Sequence, residues 1–248
     1  MKKEPVVLLH CSGSSGAQWR SLAETLGPRY LAIAPDLASP GSLALEAAPI
    51  VERMREPVHL VGHSYGGAVA LHIARTRPDL LRSLTLIEPT AFHLLRGGDA
   101  IDTRALHEIA EVAAQVKADL RAGDLLYGFG RFVDYWSGPG AWSAMPPAKR
   151  IALGPQLDKI ARDFRALLDE PAGIADVRGL RLPILLLQGG CTALPARCVG
   201  KRLCDALPEA LLSVVRGAGH MLPLTHREEV NWRIAAHLDR NRLELQAA

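Results

Sequence analysis

This chain of 248 residues lacks the features that mark several special classes of protein. No uncharged apolar run reaches the roughly 18 residues that a membrane-spanning helix needs. The net charge is only +3 and the basic residues are scattered, so no stripe for nucleic acid is present. At 48% hydrophobic and 22% charged residues, the chain is too apolar to be disordered. We expect a soluble protein with one large domain, or a core with an insertion, that binds neither membranes nor nucleic acids.

Cysteine is scarce, and the first apolar run is short. The four cysteines, Cys11, Cys191, Cys198 and Cys204, match no zinc-binding spacing. The run at residues 6–9 is too short for the core of a signal peptide, so we predict a cytoplasmic protein. In that compartment we expect mostly buried thiols, and a disulfide between Cys191 and Cys198 is disfavoured. No motif predicts a metal ion or a cofactor.

Short apolar runs alternate with helical patterns along most of the chain. Six runs are typical of buried strands, at residues 5–10, 30–34, 58–61, 81–87, 182–188 and 211–215. Helical patterns lie between or after them, at about 18–26, 42–54, 65–77, 195–207 and 227–240. This alternation predicts an α/β fold with a parallel sheet that is covered on both faces. In such sheets the ligand site lies outside the carboxyl ends of the strands.

The alternation stops between the fourth and fifth strands. Residues 90–177 show helical periodicity, with predicted breaks at residues 128–130 and 137–140. We therefore predict a core formed by residues 1–89 and 179–248, and a helical cap formed by residues 90–178.

Aromatic residues make up only 5% of the chain, and most of them lie in this predicted cap. Eight of the twelve are there: Phe92, Tyr127, Phe129, Phe132, Tyr135, Trp136, Trp142 and Phe164. They either form the core of the cap or line an apolar substrate pocket. The pocket residues that we predict are Phe92, Phe129, Phe132, Trp136 and Met221.

The most informative stretch joins the third strand to the helix after it. The apolar strand ends in Gly62-His63-Ser64-Tyr65-Gly66, and a helix of small residues follows. The two glycines remove the Cβ atoms that would clash in so tight a turn. A serine at the apex of G-x-S-x-G, between a strand and a helix, is a nucleophile elbow.

A serine hydroxyl becomes a good nucleophile only when a base lies within hydrogen-bond reach. The sequence Gly217-Ala218-Gly219-His220 follows the last strand and gives a histidine a flexible loop at the sheet edge. We therefore predict that His220 is the base for Ser64.

Five motifs occur in an order that resembles the α/β-hydrolase superfamily, in its cap-bearing esterase and haloperoxidase-like branch. They lie at residues 8–10 with the loop that follows, and at residues 34–36, 62–67, 182–189 and 217–220. The resemblance implies the α/β-hydrolase fold and a serine hydrolase that cleaves small, largely apolar esters through an acyl-enzyme. It also implies that the backbone N–H groups of Tyr65 and Ser12 form the oxyanion hole.

The chain departs from the family pattern at its N-terminal end. The usual antiparallel hairpin before the first strand is missing, so residues 30–34 form a bare sheet edge, unless the start codon is misplaced. A bare edge allows a homodimer as well as a monomer. In addition, Cys11 stands where the family has a glycine after His10, which requires an ordinary backbone conformation there.

The third departure concerns the acid of the triad. The family usually keeps it after the fifth strand, where this chain has Thr192 and no Asp or Glu between residues 189 and 199. Some members place the acid one strand earlier, and here Glu88 ends the fourth strand. We predict that Glu88 is the acid, with Asp99 and Asp102 as alternatives.

Two other functions remain open on the sequence. The same fold and Ser–His pair serve carbon–carbon bond hydrolysis of ring-cleavage products and cofactor-free oxygen chemistry. A non-catalytic ligand-binding scaffold is the alternative of another class, and the missing acid at Thr192 is the feature that favours it.

Overall fold

The computed structural model describes residues 3–246 and contains one six-stranded sheet. The strands are β1 (Glu4–Leu9), β2 (Tyr30–Ile33), β3 (Val58–His63), β4 (Leu81–Ile87), β5 (Ile184–Gly189) and β6 (Leu211–Val215). They lie in the order β2-β1-β3-β4-β5-β6, and all neighbours are parallel. The predicted fold class and its six strands are confirmed.

Helices cover both faces of the sheet because the strand residues alternate between two apolar layers. One layer packs Leu8 and Val61 of the sheet against α1 (Arg20–Leu26) and the final helix, α10 (Arg227–Gln246). The other packs the opposite strand faces against α2 (Leu43–Arg53), α3 (Tyr65–Thr76) and α8 (Leu194–Ala206). One short helix, α9 (Leu222–Thr225), precedes α10.

Four helices fill the stretch between β4 and β5, and they join the second apolar layer. They are α4 (Ala100–Ala122), α5 (Leu125–Ser137), α6 (Pro147–Leu153) and α7 (Leu157–Asp169). The helical pattern expected for this stretch is therefore present. We refer to these four helices and their connections as the helical segment.

The predicted break at residues 128–130 is wrong, because both glycines lie inside α5. A Cβ on Gly128 would lie 2.7 Å from Asp119 Cβ, and one on Gly130 would lie 2.5 Å from the Trp142 ring. Glycine is thus present for close packing, and this outweighs its low helix propensity. The second predicted break agrees with the structure, since α5 ends at Ser137.

The expectation of mostly buried thiols is met only in part. All four cysteines are free; Cys11 and Cys198 are buried, but Cys191 is exposed and Cys204 half-buried, so the expectation of buried thiols is wrong for these two. Across residues 3–246, no helix combines the length and the apolar surface that a membrane crossing requires.

Candidate active site

Ser64 lies at the sharp turn between β3 and α3, in a backbone conformation that residues other than glycine rarely adopt. Its φ is +56° and its ψ is −118°. A Cβ on Gly62 would lie 2.3 Å from the carbonyl oxygen of Gly66, and one on Gly66 would lie 2.3 Å from that of Leu9. Only glycine fits at these two positions, so the sequence pattern enforces the turn that presents the Ser64 hydroxyl.

His220 lies in the loop after β6, with its ring over the elbow. Its Nε2 lies 2.9 Å from Ser64 Oγ. The residue is only 3% exposed, and the Trp136 ring packs against the imidazole with 4.0 Å between the ring centroids. The imidazole is therefore held within hydrogen-bond reach of the serine.

Glu88 follows β4, is 1% exposed and pairs with the other imidazole nitrogen of His220. His220 Nδ1 lies 3.0 Å from Glu88 Oε2. The carboxylate also accepts hydrogen bonds from the Gly189 N–H, at 2.7 Å, and from the Thr192 hydroxyl. Three donors satisfy a buried charge that would otherwise be costly.

Thr192, at the family's usual acid position, thus donates a hydrogen bond to the acid that lies one strand away. The two alternative acids have other partners. Asp99 caps the N-terminus of α4 by accepting from the N–H groups of Ile101 and Asp102. Asp102 lies 3.6 Å from the Arg202 guanidinium.

The predicted oxyanion donors lie on either side of Ser64. Tyr65 is the first residue of α3, where an N–H has no acceptor within the helix. Ser12 lines the same cavity as Ser64. The described non-glycine residues with positive φ do not include Cys11, so its backbone conformation is ordinary, as expected. In this loop the positive φ belongs to Gly13.

A partly buried hydrogen-bond chain that the sequence did not predict connects the Ser12 loop to the His220 loop. Gln18 Oε1 accepts from the Cys11 N–H at 3.1 Å, which leaves its amide group to donate to His63 Nδ1 at 3.0 Å. His63 Nε2 then donates to the carbonyl oxygen of His220 at 2.9 Å. Burial lowers the pKa of His63 to about 3, so this ring stays neutral and keeps one tautomer.

A cavity of about 350 Å³ opens above Ser64 and His220. Its walls are mostly apolar and come from the helical segment, from residues 11–15 of the loop after β1 and from the chain after β6. Four predicted pocket residues line it: Phe129, Phe132, Trp136 and Met221. The fifth, Phe92, lines a second and much smaller cavity, of about 10 Å³, that also reaches Ser64. Sequence reasoning missed the further apolar lining residues Val133, Met145, Leu153 and Leu224.

Sequence reasoning also missed Asp163, a buried acid on α7 whose carboxyl faces the hydroxyls of Ser12 and Ser39. The Ser12 hydroxyl donates to Asp163 Oδ2 at 2.6 Å. Burial raises the pKa of this carboxyl to about 7, although the Ser12 hydrogen bond opposes the shift. The sequence held a signal, because Asp163 falls at helical spacing between Ile160 and Leu167, in the apolar stripe of α7.

No group of three or more His, Cys, Asp or Glu side chains within residues 3–246 is arranged to hold a metal ion. Ser64, His220 and Glu88 form a continuous hydrogen-bond chain. The described geometry can activate a hydroxyl group and can stabilise an oxyanion beside it.

Known proteins resemble this chain over most of its length. Residues 6–231 match the model of the alpha/beta hydrolase family. The pimeloyl-(acyl-carrier protein) methyl ester esterase of Chromobacterium violaceum is 29% identical over an alignment of 250 positions, which covers 94% of each chain.

Solved structures share the fold at lower identity. The carboxylesterase CesB of Bacillus subtilis superimposes with a TM-score of 0.70 at 18% identity, over 96% of this chain and 84% of that one. The 2-hydroxy-6-oxo-6-phenylhexa-2,4-dienoate hydrolase of a Rhodococcus strain gives a TM-score of 0.72 at 19% identity, over 96% and 91%. The family model covers residues of all six strands and every strand-end loop described above. The chain therefore belongs to the alpha/beta hydrolase family.

Proposed function

We propose that the protein is a serine hydrolase that cleaves small, largely apolar carboxylic esters. The observation that carries this proposal is the unbroken hydrogen-bond chain from Ser64 Oγ through His220 to Glu88, at the floor of an apolar cavity. In this proposal Ser64 is the nucleophile, His220 the base and Glu88 the acid. The helical segment acts as a cap, and its aromatic rings contact the substrate.

In the first half of the reaction, Ser64 Oγ attacks the carbonyl carbon of the ester while His220 Nε2 takes the hydroxyl proton. The carbonyl oxygen becomes an oxyanion and accepts hydrogen bonds from the N–H groups of Tyr65 and Ser12. Glu88 stabilises the imidazolium and holds Nδ1 protonated, so that Nε2 faces the serine. Collapse of the intermediate breaks the bond to the alkoxy group, which leaves as an alcohol with the proton from Nε2.

In the second half, water replaces the alcohol. His220 Nε2 takes a proton from the water as its oxygen attacks the acyl-enzyme, and the new oxyanion occupies the same two donors. Collapse returns the proton to Ser64 Oγ and releases the carboxylic acid. The net reaction consumes one ester and one water and yields one alcohol and one acid.

The esterase of Chromobacterium violaceum supports the ester class, because the alignment covers 94% of both chains. The carboxylesterase of Bacillus subtilis adds support for the fold alone. The argument for a non-catalytic scaffold loses its basis, because a carboxylate does lie within hydrogen-bond reach of His220 Nδ1.

A fluorophosphonate probe tests the nucleophile directly. We expect one probe per folded chain, attached to the peptide that contains Ser64, as measured by intact-mass and peptide mass spectrometry. Ser143→Ala, at an exposed serine, is the matched control and should label normally. Folded protein that stays unlabelled would contradict the proposal.

A substrate panel tests the reaction class. Small aryl and alkyl esters should be hydrolysed, while a dienoic diketone of the ring-cleavage type should not. Faster cleavage of the diketone than of every ester would assign carbon–carbon bond hydrolysis instead.

A further inference from the structure

The smaller of the two cavities at Ser64 differs in chemistry from the larger one. It is lined by four aromatic rings, those of Phe92, Phe132, Trp136 and Phe164, and among other residues by Ser64, Thr90 and Asp163; we call it the notch. Its volume of about 10 Å³ is enough for about one water-sized group. The notch is therefore a subsite for a single small substituent.

Two polar atoms of notch residues have no hydrogen-bond partner within the described part of the chain. They are Thr90 Oγ1 and Asp163 Oδ1, and both residues are only 2% exposed. Buried polar groups in folded proteins are nearly always paired, so two orphans around one small space indicate a polar occupant. Asp163 is also anchored, because the Ser12 hydroxyl holds its other oxygen at 2.6 Å.

The position of His220 decides which part of an ester reaches the notch. The leaving alcohol must lie close to His220 Nε2, which returns the proton to it. His220 lines the large apolar cavity and is not among the residues that bound the notch. The alcohol part therefore occupies the large cavity, and the acyl substituent points into the notch.

We propose that the notch binds a hydroxyl group on the α-carbon of a short acyl chain, so that the preferred substrates are esters of a small 2-hydroxy acid with an apolar alcohol. This inference rests on the proposed esterase function and narrows its substrate class. A hydroxyl group donates to Asp163 Oδ1 and accepts from Thr90 Oγ1, which satisfies both orphaned atoms. A methyl group of the same size leaves both of them unpaired.

A hydroxyl group also suits the carboxyl in either of its protonation states. Burial brings the pKa of Asp163 to about 7, so near neutral pH both forms are populated. The ionised form accepts from the hydroxyl, and the protonated form either donates to it or accepts from it through the carbonyl oxygen. An ammonium group would instead have to leave water for a space lined by four aromatic rings, and it would form an ion pair only with the ionised carboxyl.

The test compares benzyl glycolate with benzyl propionate, which share the alcohol and differ only by OH in place of CH₃. The kcat/KM ratio of the two esters is divided by the ratio of their hydrolysis rates in hydroxide, which removes the intrinsic activation by the hydroxyl. We expect a corrected preference for glycolate of about tenfold or more, since sites built to bind a hydroxyl reject analogues that lack it.

Variants assign the preference to the notch. Asp163→Leu should bring the corrected ratio close to one, and Thr90→Val should lower it severalfold. Asp163→Asn keeps a side chain that can pair with a hydroxyl and should retain part of the preference. Any disturbance of the Ser12 loop lowers both rates by a common factor, which the ratio cancels.

Three outcomes overturn the inference: a corrected ratio near one in the wild type, a ratio that Asp163→Leu leaves unchanged, or a clear preference for benzyl glycinate over both esters. The first two would mean that the notch only holds a water molecule, and the third that it takes a cation. In each case continued hydrolysis of benzyl propionate leaves the esterase proposal intact. Failure of that proposal is distinct, because neither ester is then hydrolysed and Ser64 takes no fluorophosphonate.

Discussion

Ser64, Glu88 and His220, in the loops after β3, β4 and β6, differ from Asp163 of the helical segment in how completely their polar groups are paired. In the loops, Ser64, His220 and Glu88 have partners for every polar side-chain atom. In the helical segment, the buried Asp163 has one oxygen without a partner within the described residues. These three side chains are complete as they stand, whereas Asp163, like Thr90 in the loop after β4, lacks a partner that an occupant of the notch would supply. In our proposals, the fully paired groups perform the chemistry and the unpaired groups select the substrate.

The strongest test of this division removes the nucleophile. Ser64→Ala should lower kcat for a small ester by roughly 10⁵–10⁶-fold, because His220 then has no hydroxyl to activate. Ester hydrolysis by the purified variant measures the loss, with Ser143→Ala as the matched serine control. Retention of more than a few per cent of the rate would locate the chemistry outside the strand-end loops.

The next test addresses the acid. Glu88→Gln should lower kcat by roughly 10³–10⁴-fold, because a neutral amide does not stabilise the imidazolium. Asp99→Asn is the matched control, since asparagine also caps a helix and the rate should stay near that of the wild type. The reverse result, with Asp99→Asn impaired and Glu88→Gln active, would move the acid into the helical segment.

The third test concerns stability in the segment. Burial raises the pKa of Asp163 from 3.8 to about 7, although the hydroxyls of Ser12 and Ser39 oppose the rise; Glu46 adds to it and Lys159 opposes it. Between these two pKa values the folded chain holds a proton that the unfolded chain has released. The free energy of unfolding of the wild type should therefore fall as pH rises through this window.

Asp163→Asn lacks this proton and keeps the size of the side chain. Relative to the wild type, its free energy of unfolding should rise by about 1–3 kcal/mol between pH 5 and pH 8. Urea denaturation at the two pH values measures the change. Parallel behaviour of the two proteins would show that Asp163 titrates normally and that the segment carries no buried acid of this kind.

The same division explains what could be predicted from the sequence. Strand ends meet at one sheet edge whatever the side chains do, so the spacing around Ser64 and the loop at His220 were enough to bring the pair together. The strands also agree with the predictions within a few residues at each end, since each is a buried apolar run. Pattern and topology are local properties that a single sequence contains.

The helical segment was predicted less well because its details depend on packing between helices. Gly128 was interpreted as a break, although its contact with Asp119 across the helix pair keeps it inside α5. Asp163 was overlooked, because its burial depends on how α7 packs over the Ser12 loop. Thr192 lies between these cases: the sequence showed that the acid was absent there, but not that the hydroxyl serves Glu88.

That hydroxyl offers a smaller test of the loops. Thr192→Val should lower kcat roughly tenfold with little change in KM, because Glu88 loses one of three donors while neither cavity loses a wall. Thr192→Ser keeps the hydroxyl and should remain close to the wild-type rate. Equal losses in both variants, or a change confined to KM, would show that Thr192 acts on packing and does not position the acid.

The smallest expected effect concerns strain at the elbow itself. A side chain at the φ of +56° found for Ser64 costs about 1–3 kcal/mol, and glycine avoids most of this cost. Part of the gain is offset because glycine gives the unfolded chain more freedom. The free energy of unfolding of Ser64→Gly should therefore be about 1 kcal/mol higher than that of Ser64→Ala, as measured with urea at neutral pH. Both variants lack the nucleophile, so the comparison isolates the backbone. Equal stability of the pair would mean that the elbow stores no strain, and that the complete pairing of Ser64, His220 and Glu88 comes without cost to the fold.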